Sequence, residues 1–152
     1  TARRLAKIVH AQMVSVDSTV KGLFSKPSFI GKDRPPSAFE LETCYRAFAL
    51  IADHVLHAGK SIIIDGAFAK QSQRKLLLSI ARKNRVPFKV LFITCPDPLL
   101  RKRAEKRFRQ GKGVGYQAHL KIKKTYEPLR MKHVTIDTSK DIDAQLKLFF
   151  CN

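Results

Sequence analysis

The chain of 152 residues carries 30 Lys plus Arg against 12 Asp plus Glu, a formal net charge of +18, and 44% of its residues are hydrophobic. That hydrophobic share excludes a disordered chain, and the length gives one core-forming domain, residues 1–152. The charge points to anionic partners: nucleotides, phosphorylated substrates, nucleic acid or an anionic membrane surface. No apolar run reaches the ~20 residues of a membrane span. The three cysteines, Cys44, Cys95 and Cys151, are far apart, with no C-x-x-C pair, and read as reduced thiols in a cytoplasmic protein.

In Thr1 to His10, Leu5, Ile8 and Val9 fall at i, i+3, i+4, so the chain opens inside a helix. Met13 to Asp17 is a short apolar run that predicts a strand with an acid at its C-terminal end. Residues 25–37, with Pro27, Gly31, Pro35 and Pro36 among mixed charges, read as a mobile loop. From Ser37 the pattern is helical for about twenty residues, with Leu41, Tyr45, Phe48, Ala52 and Val55 on one face and Gly59 just beyond. Ser61 to Phe68, SIIIDGAF, then gives a buried parallel strand ending at Asp65, the position where open α/β sheets bind ligands.

Gln71 to Arg85 is an amphipathic helix with Leu77, Ile80 and Ala81 inward, and Phe88 to Cys95 is a further strand. Asp97 as N-cap and Pro98 in the first turn start a helix whose Leu100, Ala104 and Phe108 line one side, with Arg103 and Arg107 beside them. After Gly111-Lys112-Gly113-Val114-Gly115 come a basic helix to about Tyr126, stopped at Pro128, the strand His133 to Thr138, and a last helix, Asp141 to Phe149. Strands alternating with helices predict right-handed βαβ units, hence a mainly parallel sheet covered on both faces, a three-layer α/β domain.

Two strand-end aspartates, with arginines at i, i+4 on a later helix, suit phosphoryl transfer, which depends on positioning and charge neutralisation. One acid can activate a hydroxyl and the other can hold Mg²⁺. The i, i+4 spacing puts both guanidiniums on one helical face, where they can neutralise a transferred phosphoryl group. The bland alternatives are that Asp17 and Asp65 only cap the segments after them and that Arg103 and Arg107 belong to a solvated basic face with Arg101, Lys102, Lys106 and Arg109. Arg74 reads as a surface or structural residue. The five histidines have no paired ligand partners.

Asp17-Ser-Thr-Val-Lys-Gly-Leu23-Phe24, Asp65, Arg74, Pro96, the pair Arg103 and Arg107, Tyr126-Glu127-Pro128 and Ile136-Asp137-Thr138 stand in one order. Together they resemble the P-loop kinases of the small-molecule and polynucleotide kinase type, including zeta-toxin-like and AAA-type bacterial kinases. The similarity covers nearly the whole chain, and the Asp65 to Gly111 block looks like the phage polynucleotide 5′-kinases. The resemblance implies a P-loop NTPase-like, nucleotide-kinase-like fold with ATP and Mg²⁺ as cofactors. By it Asp17 is the general base for the acceptor hydroxyl, Asp65 acts at Mg²⁺, Arg103 and Arg107 are lid arginines on ATP, with Arg107 also catalytic, and residues 108–116 are the lid. Lys21 and Arg74 become substrate contacts, although Val20 stands where such kinases usually have an arginine.

No G-x-x-x-x-G-K-[ST] loop occurs in the 152 residues. Gly59-Lys60-Ser61 spells its last three letters, but position 54 is His and the tripeptide leads into a strand, where a phosphate loop leads into a helix. In the resembled kinases a helix like TARRLA follows the loop lysine within a few residues, which places Thr1 at the ATP phosphates. The chain as given is therefore expected to lack the first strand and to bind ATP poorly. The leading expectation is an ATP-dependent kinase whose acceptor is a hydroxyl of a small molecule or of a polynucleotide 5′ end. The rival is a non-catalytic basic remnant or pseudoenzyme that binds nucleic acid, which salt should weaken steeply.

Overall fold

In the computed structural model, which describes residues 1–29, 32–111 and 113–150, four short parallel strands alternate with seven helices. Gly31, Lys112 and Cys151, singled out in the sequence, lie outside the described residues. The order is α1 (Ala2–Ile8), β1 (Gln12–Ser15), α2 (Val16–Leu23), α3 (Ala38–His57), β2 (Ile62–Asp65), α4 (Gln71–Lys83), β3 (Leu91–Thr94), α5 (Asp97–Arg109), α6 (Tyr116–Lys124), β4 (Val134–Asp137) and α7 (Ile142–Phe150). This is the expected α/β alternation, with one helix more, α2, where the sequence shows only a strand running on to Asp17.

Ser15 explains that helix. Its hydroxyl accepts from the Ser18 backbone N–H at 3.3 Å and caps α2 directly off the strand. Asp17 thus sits in the first turn of a helix, whose positive end suits a carboxylate, rather than at a strand end.

The strands pair as β1 with β2 and β3 with β4, two separate parallel ladders rather than the single sheet expected. What unites them among the described residues is side-chain packing. Ile63 of β2 and Leu91 of β3 pack against a buried cluster of Leu5, Ile136 and Leu146, which joins α1, β4 and α7. On the other face Val14 and Ile64, register partners, pack on a second cluster of Val16, Val20, Phe29, Cys44, Tyr45 and Phe48 from α2, α3 and the stretch between them. Layers on both sides of the strands follow from this alternation, since successive strand residues face opposite ways.

Among its described residues, the proline-containing stretch before α3 is tethered at several points. Phe29 is buried in the second cluster, and Glu40 accepts from the backbone N–H and hydroxyl of both Ser28 and Ser37, closing the stretch at its two ends in a capping box. Burial alone would push the Glu40 carboxyl up, but the hydrogen bonds from Ser28 and Ser37 outweigh it and bring its pKa down to about 2. The composition of the stretch shows only that it cannot be helical. Which side chains pin it depends on partners from twelve to more than eighty positions away.

Candidate active site

The parallel register sets Ser15 opposite Asp65, so β1 and β2 end level. Asp17, two residues past Ser15, and Asp65 therefore emerge at the same end of the ladder. Both line an open cleft of about 1720 Å³, together with Thr1, Lys21, Arg107 and Lys121. Five of the seven residues singled out in the sequence, Thr1, Asp17, Lys21, Asp65 and Arg107, meet there.

Arg107 reaches the cleft from α5, and its Nη2 lies 3.8 Å from Asp17 Oδ2. It also rests on the α5–α6 connection: a Cβ built on Gly113 would stand 3.1 Å from the same nitrogen. Desolvation by the cleft walls raises the Asp65 carboxyl above its ordinary range; the Asp17 charge adds to this and Arg107 opposes it. Asp65 makes no hydrogen bond or ion pair among the described residues, so its lone pairs are open to a ligand.

Arg103 does not join Arg107. Its guanidinium donates to Thr138 Oγ1 at 2.9 Å and Thr138 O at 3.2 Å, beside Cys95 Sγ, and it is not part of the cleft lining. Although i, i+4 positions share a helix face, the end of β4 takes one arginine and Asp17 takes the other. The convergence of the pair on a single charge is thereby corrected.

Arg74 stands apart from the cleft altogether. It is 5% exposed and absent from the cleft lining, and its Nη2 donates to the carbonyls of Glu127 at 3.0 Å and Pro128 at 3.3 Å. Its guanidinium also lies 5.4 Å from the centroid of the Tyr126 ring. Glu127 returns the grip: its Oε2 accepts from Gln71 N at 2.6 Å and its N–H donates to Ala69 O at 2.8 Å. Arg74 thus staples residues 126–128 to the start of α4 and so positions the end of α6.

The α5–α6 connection falls at 110–115, within the expected lid. It is held to the stretch before α3 by Asp33, whose Oδ2 accepts from Gln117 N at 3.1 Å and Oδ1 from Ala118 N at 2.9 Å, capping α6 from afar. Gly115 allows the approach, because a Cβ there would collide with the Asp33 carboxylate. Beneath the cleft, Phe68 holds a left-handed backbone, φ 44°, and its N–H donates to the Tyr45 hydroxyl at 3.3 Å. Burial pushes that phenol up to about 12, so it stays a neutral partner.

The sequence pointed to neither Asp33 nor Lys121. Asp33 acts through backbone groups of α6 and Lys121 counts only as part of the cleft lining, and no local pattern marks either. Gly59-Lys60-Ser61 follows α3 and enters β2, as its rejection as a phosphate loop required. Asp97 begins α5 without capping it and instead lies 3.5 Å from Lys123 Nζ.

A divalent cation fits this donor set in one way only. Among the described residues there is no cluster of three or more His, Cys, Asp or Glu that could hold a metal by themselves. Two carboxylates beside basic groups match Mg²⁺, which takes one or two protein carboxylates and completes its shell with phosphate oxygens and water. No helix among the described residues is long and apolar enough to cross a membrane.

A family model described as an AAA domain matches residues 1–129. No curated protein matches the chain. Among solved structures it is similar to a sugar kinase from Janibacter sp. HTCC2649, at 17% identity and TM-score 0.69 over 99% of this chain and 83% of the other. It is likewise similar to the APS kinase of Mycobacterium tuberculosis in complex with AMPPNP and APS, at 15% identity and TM-score 0.69 over 99% of this chain and 86% of the other. Such similarity establishes a shared P-loop kinase-like fold.

Proposed function

The chain belongs to the AAA domain family, and from that premise we propose that it is an ATP-dependent kinase transferring the γ-phosphoryl group of ATP to an acceptor hydroxyl. The observation that carries this reading is the meeting of Asp17, Asp65 and Arg107 in one cleft. Mg²⁺ supplies charge neutralisation at the phosphates when bound, and Asp65, with open lone pairs, would hold it there directly or through water.

Asp17 takes the proton of the acceptor hydroxyl through one of its carboxylate oxygens, with the Arg107 guanidinium beside it to fix its position. Arg107 is placed to neutralise charge on the phosphoryl oxygens. Thr1 contributes to the nucleotide end of the cleft, and Arg103 supports that end by fixing α5 to Thr138. Lys21 faces the acceptor. The connection between α5 and α6 closes over the cleft and excludes water. With no G-x-x-x-x-G-K-[ST] loop among them, these 152 residues alone bind nucleotide weakly, which titration with AMPPNP measures.

The test is Asp17→Asn. It should lower phosphoryl transfer by about 100-fold or more, the usual contribution of a general base, and leave AMPPNP affinity within about twofold. Undiminished transfer by this variant overturns the base assignment. A wild-type chain that binds nucleic acid with a steep salt dependence and never turns over ATP would instead favour the non-catalytic binding reading, which the net charge of +18 supports.

A further inference from the structure

Arg107 does not hold its own place in the cleft. Its side chain is 62% exposed and stands 3.8 Å from Asp17, and an arginine that exposed samples many rotamers unless a neighbour restricts it. Gly113 is such a neighbour: a Cβ built there would stand 3.1 Å from Nη2, 3.6 Å from Cζ and 3.7 Å from Nε of Arg107, so the guanidinium lies along bare backbone. Where residues 113–115 sit therefore decides where Arg107 points.

Two anchors fix that backbone. Val114 packs against the buried cluster that contains Val20 and Phe48. Asp33 reaches across from the stretch before α3 and accepts from Gln117 N at 3.1 Å and Ala118 N at 2.9 Å, amides of the first turn of α6 that have no partner within the helix. Both segments so joined line the cleft, Pro35 and Pro36 on the side of Asp33, Lys121, Ile122 and Thr125 on the side of α6, while Asp33 itself is absent from the lining. We propose that Asp33 is a positioning residue for phosphoryl transfer: by capping α6 it fixes residues 113–115, and through them the guanidinium of Arg107 beside Asp17. The transfer half of this rests on the kinase reading; the coupling of Asp33 to Arg107 does not.

Asparagine caps a helix about as well as aspartate and alanine does not, which separates the cap from the charge. Asp33→Ala should lower kcat about tenfold, with KM for ATP within about threefold, because a displaced Arg107 is missed most in the transition state. Asp33→Asn should recover kcat to within about threefold of wild type. Gly115→Ala, whose new Cβ crowds the Asp33 carboxylate off its amides and keeps its charge, should match Asp33→Ala. In an Arg107→Ala background Asp33→Ala should cost no more than about twofold further, since the two act in series. Full kcat in Asp33→Ala, an Asp33→Asn variant as impaired as the alanine one, or an undiminished loss in the Arg107→Ala background overturns the proposal.

A readout without ATP keeps the two readings separate. The Nε–H resonance of Arg107 in the isotope-labelled full chain, identified by its loss in Arg107→Lys, should shift in Asp33→Ala and in Gly115→Ala and return in Asp33→Asn. An unmoved resonance sinks the positioning role even where turnover falls, because the loss then arises elsewhere in the fold. A shifted resonance in a chain that never transfers phosphate from ATP sinks the kinase and leaves the coupling.

Discussion

β2 and β4 both end in aspartate after an apolar strand, yet the two carboxylates have opposite fates. Asp137 accepts from its own turn, from Ser139 N at 2.9 Å and Ser139 Oγ at 2.7 Å, and these hydrogen bonds hold its pKa below the ordinary range. Gln145 locks the same residue's backbone, donating to its carbonyl and accepting from its N–H. Asp65 is followed by Gly66 and Ala67, has no such turn to satisfy it, and is raised by desolvation beside Asp17. A strand-end acid is therefore open to a ligand where the following residues offer it no donor, and structural where they do.

The sharpest way to break this contrast is to remove each charge in turn. Asp65→Asn should reduce ATP turnover by about 100-fold while leaving the melting temperature unchanged or slightly raised, since a desolvated carboxylate is lost. If Asp137→Asn cost turnover as heavily, the distinction between the two strand ends would be wrong.

Next in size is Arg74→Ala. Loss of a buried guanidinium with two carbonyl partners and an aromatic contact should destabilise the fold by about 3 kcal/mol in denaturant titration, because the carbonyls of Glu127 and Pro128 lose their donor. A surface-like cost of a few tenths would show that the staple is idle.

Glu40 gives a pH test. Its folded pKa, about 2, lies below the ordinary value of 4.5, so its stabilisation is fully present above pH 4.5 and is lost as the pH falls toward 2. Glu40→Gln should flatten that part of the acid unfolding curve and cost about 2 kcal/mol at neutral pH, measured by chemical denaturation. An unchanged acid limb would assign it to other carboxylates.

The smallest effect completes the comparison. Asp137→Asn should lower the melting temperature only slightly, since it weakens hydrogen bonds in an exposed turn, with turnover within about twofold of wild type. Thermal unfolding and an ATP turnover assay on one sample decide both halves.

Much of the chain's order is legible in its residues. The β-branched run before Asp65, the Ser37 to Glu40 start of α3 and the glycine-rich break after α5 each depend on neighbours a few residues away, and the helices and strands fall where their periodicities put them. The elements that differ from expectation are those settled over distance. α2 reads as strand because Val14, Val16 and the intervening Ser15 alternate like one, while Ser15 acts instead as a cap. The proline stretch looks free because nothing in it shows that Phe29 enters a core or that Glu40 grips Ser28.

The sequence by itself determined the alternation of strands and helices, the positive charge, and the two aspartates with arginines following them, because hydrophobic period and residue chemistry are local properties. Only the tertiary structure decided that β1 and β2 end level so that Asp17 and Asp65 share a cleft, that Arg107 enters it while Arg103 ties to Thr138 and Arg74 to residues 126–128, and that the strands form two ladders. Register, and the choice a long cationic side chain makes among distant acceptors, depend on elements brought together by packing. No spacing along the chain encodes which acceptor wins.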